Sequence, residues 1–91
     1  MNKNKNEYVP AISHTTRTTG ETIRMLRELM NWTQKELAKR SGISEPNLSL
    51  LENDKIDLGK KRAEQLAKAF GIHPAIIMFP DYEAIEIQKA A

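Results

Sequence analysis

The feature that most constrains this chain is a pair of helix start signals close together, with a single glycine between them. Thr33 precedes Gln34-Lys35-Glu36-Leu37-Ala38, and Ser44 precedes Glu45-Pro46-Asn47-Leu48. A hydroxyl oxygen at such a position accepts from an amide of the helix's first turn that has no partner within the helix. Glu36, three residues after Thr33, completes the pattern of a capping box. Gly42 ends the first of the two helices, because glycine takes the left-handed backbone of a C-cap without steric cost. Pro46 falls in the first turn of the second, where a missing N–H matters little. Two helices of eight or nine residues, joined through Ser41-Gly42-Ile43, have to cross steeply and touch. Ala38 is small enough to let them approach, Ile43 plugs the space between them, and Leu37, Leu48 and Leu51 complete a shared core.

This is the layout of a helix-turn-helix unit, whose second helix is offered to the major groove of DNA. Periodicity supplies the rest of an all-α bundle. Ile23, Leu26, Leu29 and Met30 recur at helical spacing from Gly20, with Thr18 and Glu21 as a candidate capping box and Asn31-Trp32 as the break. Ala63, Leu66, Ala67 and Phe70 mark a fourth helix over 59–70, ended by Gly71. His73-Pro74 starts a short fifth through Met78, and Pro80 ends it. Residues 1–19 read as a polar tail, 20–80 as the domain and 81–91 as an extension. Tyr82, Ile85 and Lys89 share a helical face there, while Ile85 and Ile87 alternate as in a strand; propensity tilts the segment toward helix. The leader lacks periodicity. It reads as a disordered tail, as an arm reaching DNA with Lys3, Lys5 and Arg17, or as a segment packing Val9 and Ile12 on a partner.

Composition narrows the chemistry. With 91 residues the chain reads as one domain, and with no cysteine it has neither disulfides nor thiolate sites, which fits a cytoplasmic protein. No apolar run is long enough to span a membrane, and 1–19 lacks the apolar core of a secretory signal. His14 and His73 have no metal-ligand spacing, the glycines at 20, 42, 59 and 71 form no phosphate loop, and no nucleophile–base pair is present. No catalytic activity, metal or cofactor is expected. The net charge is only +2, but residues 1–80 carry 13 basic groups against 9 acidic ones. That bias is compatible with nucleic acid without establishing it.

The stretch "WTQKELAKRSGIS…NLSLLENDK" resembles the Cro/C1-type repressor domain, the XRE family, and the resemblance covers Gly20 to Met78. It implies a five-helix lambda-repressor-like bundle that binds an operator in double-stranded DNA as a homodimer. It further implies that Gln34 bonds a phosphate and braces the recognition helix. Ser44, Glu45, Asn47 and Ser49 would lie at base edges or phosphates, and Asn53 and Lys55 would contact the backbone. Lys35 would face the backbone from the second helix, with Lys39 and Arg40 solvated. Arg27 would pair with Glu52 and tie the first helix to the third.

This chain also departs from the family pattern. The Gln or Arg common in the recognition helix is absent. Glu45 suits a cytosine amine, Asn47 suits adenine, and Leu50 is either a contact to a thymine methyl or simply an exposed leucine. With no arginine on this face, DNA shape could contribute to recognition. The usual glycine after Leu-Glu-Asn is Asp54, whose charge is unfavourable beside phosphate.

Several segments admit two roles. Lys60-Lys61-Arg62 reads as a phosphate patch or as a solvated helix start. Trp32 reads as a core anchor or an interface residue. Ile76-Ile77-Met78-Phe79 is apolar enough to serve both the core and a second copy. The segment "AEQLAKAFGIHPAIIMFPD" is similar to HigA-like antitoxins, which implies a toxin protein as a further partner. A protein-interaction module that does not bind DNA is the competing class, favoured by Glu45, Leu50 and Asp54.

Overall fold

The computed structural model describes residues 17–80. The expectations for the leader up to residue 16, including Lys3, Lys5 and His14, and for 81–91 lie outside the described residues. Five helices follow in order: α1 Thr19–Leu29, α2 Gln34–Ser41, α3 Glu45–Glu52, α4 Gly59–Phe70 and α5 Pro74–Met78. None is long and apolar enough to cross a membrane.

The local signals act much as the sequence indicates. Thr18 and Glu21 form a reciprocal capping box, so Thr18 and Thr19 belong to the first helix rather than to the leader. Ser44 Oγ accepts from the Asn47 amide, and Gly42 and Gly71 close their helices with φ of 79° and 73°. At Thr33 only half of the expected box exists. Its hydroxyl accepts from the Glu36 amide, but the Glu36 carboxylate turns away to Arg40, one helical turn on, at 2.7 Å. The His73 Nδ1 accepts from the Ala75 amide and caps α5.

The core is one cluster. Ile23, Leu37, Leu48, Leu66 and Ile77 are fully buried, with Ile43, Leu51, Ala67 and Phe70 around them. Each such burial contributes roughly 1.5–3 kcal/mol before chain entropy is counted. Every helix supplies at least one of these side chains, so no helix pair buries its apolar face alone. In α1, however, the expected inner face is corrected. Leu29 is 72% exposed and Met30 is also exposed. Arg27, four residues after Ile23, takes the inward position instead, and Asn31 turns the chain with a φ of 61° before Leu29 can reach a neighbour. Trp32 packs partly buried on the edge of the core, its ring stacked on Phe70 at 5.7 Å and with the Arg40 guanidinium over it at 4.3 Å. Arg40 is therefore an anchored side chain rather than a free solvated one.

The start of α1 packs tightly against the end of α3. A Cβ built at Gly20 would lie 2.5 Å from the Leu51 carbonyl oxygen, 2.6 Å from that of Glu52 and 2.8 Å from Asp54 Oδ1. No other residue fits without parting the helices. Asp54, in the left-handed conformation at φ 56°, accepts from the Gly20 amide at 3.0 Å. Its carboxylate thus caps the positive end of α1. Gly20→Ala is expected to cost about 1–3 kcal/mol through this overpacking. Urea unfolding checks it, and an unchanged midpoint would contradict the contact.

Candidate nucleic-acid interface

α3 presents two unlike sides. Leu48, Leu51 and Glu52 are buried, whereas Ser44, Glu45, Pro46, Leu50 and Asn53 are exposed and Asn47 and Ser49 are half-exposed. From Glu45 the exposed positions fall at i, i+1, i+5 and i+8, with half-exposed Ser49 at i+4 among them, which is one continuous face of a helix. Leu50 is 40% exposed on it. No lysine or arginine occurs between residues 43 and 54.

What aims this face is a buried carboxylate. The Glu52 side chain is fully buried at the last residue of α3. Arg27 Nε donates to its Oε2 at 2.7 Å and Arg27 Nη2 to its Oε1 at 3.1 Å, a two-pronged pair. Gln34 Nε2 donates to Oε1 at 3.0 Å, and Arg24 Nε lies 3.7 Å away. The third prong of Arg27 reaches the Trp32 carbonyl at 2.9 Å. Arg27's pKa is raised above the ordinary arginine value, chiefly by its side-chain hydrogen bond to Glu52, with desolvation opposing and the Glu52 and Glu28 charges adding. Its charge is therefore present throughout the neutral range. One carboxylate thus ties together α1, α2, α3 and the turn at Trp32.

The residues expected at the interface do not stand alike. Gln34 is engaged with Glu52, which is the bracing half of its expected role. Ser44 is used as the cap of α3. Asn53 is held from both ends: its Nδ2 donates to the Ser49 carbonyl at 2.8 Å, and its Oδ1 accepts from Arg24 Nη2 at 3.4 Å. Lys35 and Lys55 have exposed side chains, while the Lys55 amide closes back on the Leu50 carbonyl at 2.8 Å. Arg24 is not among the residues that the sequence pattern picks out. It stands one turn before Arg27 on the side of α1 that faces Glu52 and Asn53, and that spacing is the signal that points to it.

An open groove of about 650 Å³ runs from the start of α3 to the start of α4, lined among others by Ser44, Asn47, Lys60, Lys61 and Arg62. α4 begins without a side-chain cap and without an acidic residue in its first turn. Gln65 Nε2, on the same wall, donates to the Ser41 carbonyl at 3.3 Å and fastens α4 to the turn. The basic triplet therefore lies beside α3 instead of on a remote surface. Among the described residues, no cluster of His, Asp and Glu could hold a metal ion.

Comparison with known proteins agrees with this geometry. The helix-turn-helix family model matches residues 23–77. Over 51 residues the chain is 43% identical to the competence pilus inhibition repressor of Acinetobacter baylyi, which covers 56% of this chain. The matched part spans only 46% of that repressor's length. No solved structure gives a significant match.

The pair at the centre carries a measurable expectation. Arg27→Ala leaves a buried carboxylate without its main partner and should cost about 3–5 kcal/mol. Replacing both partners with apolar residues, Arg27→Met with Glu52→Leu, should cost clearly less than the sum of the single changes. Additive losses in urea unfolding would mean that the pair is not a unit.

Proposed function

We infer the function from the premise that the chain belongs to the Cro/C1-type helix-turn-helix family of DNA-binding transcriptional regulators. It is a repressor that occupies an operator, with the exposed face of α3 in the major groove. The single observation that carries this reading is that face: four exposed positions and half-exposed Ser49 on one side of a helix whose opposite side is pinned by Glu52. A helix held so firmly at its inner end presents its outer side at a fixed height and angle, as groove docking requires.

The positive charges stand around that face and not on it. Lys55 follows α3, Lys60 to Arg62 line the groove beside its start, Arg24 reaches Asn53 from α1, and Lys35 is exposed in the first turn of α2. This arrangement suits phosphates on either side of the groove, with Gln34 and Asn53 as further backbone contacts. Ser44, Glu45, Asn47, Ser49 and Leu50 then sit nearest the base edges. The Asp54 charge is offset by its bond to the α1 amide rather than left facing phosphate. The fold around 20–80 acts as the DNA-binding unit, and a regulator of this kind works in the cytoplasm.

The active form is a homodimer. Leu29, Met30, Met78 and Phe79 remain solvent-exposed at the ends of α1 and α5, which pack against one another. A twofold dimer places two recognition helices roughly 34 Å apart, one turn of DNA. The competence pilus inhibition repressor, similar over the matched segment, supports the repressor assignment by its name.

Selection of bound fragments from random DNA tests the reading as a whole. A palindromic consensus is the expected result, and recovery of no preferred sequence would overturn it. Lys55→Ala should weaken binding to all sequences alike and reduce the salt slope of log K by about 1. A slope equal to that of the unaltered chain would remove Lys55 from the phosphate contacts.

A further inference from the structure

We propose that Leu50 reads the 5-methyl group of a thymine at one position in each operator half-site; this rests on the docking of α3 in the major groove. Leu50 has no task in the bundle. Its neighbours Leu48 and Leu51 hold the core positions of α3, and Leu50 points outward, 40% exposed. Pro46, one helical turn earlier and also exposed, extends the same apolar strip.

The rest of the helix leaves few of the base contacts that dominate groove recognition, Asn47 with its adenine-suited amide being the main one beside Leu50. Guanine shows two acceptors, N7 and O6, to the major groove and is read mainly by arginine or lysine. α3 has neither, and the Glu45 carboxylate on the same face repels those acceptors. Asn53 is tethered through its amide to Ser49 and Arg24 at the far end of the helix, which orients it toward the backbone and not toward a base edge. An outward leucine in the groove finds one apolar partner on the base edges, the thymine methyl. Its selectivity is that of burying a single carbon.

The experiment uses the full chain and the duplex recovered by selection from random DNA. Each thymine is replaced in turn by deoxyuridine, which differs only in lacking the methyl. Binding is read by fluorescence anisotropy at one fixed salt concentration. For the unaltered chain, one position per half-site should weaken by about three- to fivefold, the size expected for one buried methyl group. Leu50→Ala should bind thymine and deoxyuridine equally at that position and keep the unaltered chain's pattern at every other thymine. Leu50→Gln, also at an exposed site, is the second variant should the alanine form fold poorly.

If no thymine position has an effect that depends on Leu50, the proposal is overturned while specific DNA binding stands. If the chain selects no duplex, the docking of α3 itself fails, and the thymine contact fails with it. If Leu50 variants bind the operator normally but lose a protein partner, the strip is a protein contact and the proposal is wrong.

Discussion

The structure depends on one buried carboxylate. Glu52 sits at the end of the helix that must be aimed, fully enclosed, and takes two bonds from Arg27 and one from Gln34. A charge in that position is strongly unfavourable unless its partners are in place, so the helices can pack only in the arrangement that supplies them. The apolar core provides far more free energy than the pair but much less direction, because apolar contact is tolerant of small rotations. The ion pair converts a stable cluster of helices into one with a defined angle between α1, α2 and α3.

A second constraint acts at the same end of α3, against the start of α1. The first turn of α1 meets the last carbonyls of α3 so closely that Gly20 has no room for a side chain. Positive and negative helix ends face each other there, and Asp54 adds a full negative charge to the favourable side. This explains why an aspartate can stand where the family commonly has glycine. Its strained backbone at φ 56° is offset by a tertiary hydrogen bond that glycine could not make.

The electrostatics also account for the modest net charge of +2. Cations are concentrated around the recognition helix, in the groove beside its start and just beyond its end, while its outward face is uncharged except for Glu45. Attraction to a phosphate backbone depends on where charges stand relative to the helix, and summation over the chain hides that arrangement. On the proposed docking, affinity and selectivity come from different residues.

Much of this was legible in the residues themselves. Thr18, Thr33, Ser44, Gly42 and Gly71 mark helix ends because capping and left-handed turns are local chemistry, settled within four or five residues. The core positions in α3 and α4 follow from spacing alone, and the five-helix family fold follows from the Thr33–Lys55 stretch. Other features were settled only by packing. Leu29 and Met30 fit a helical period yet stay outside, because Arg27 claims the inner face to reach a carboxylate 25 residues away. Glu36 abandons its cap for Arg40, Asn53 is taken up by Arg24, and Asp54 becomes the cap of a helix 34 residues earlier. A linear pattern states what a side chain can bond, but only the assembled fold decides which of several distant partners comes within reach.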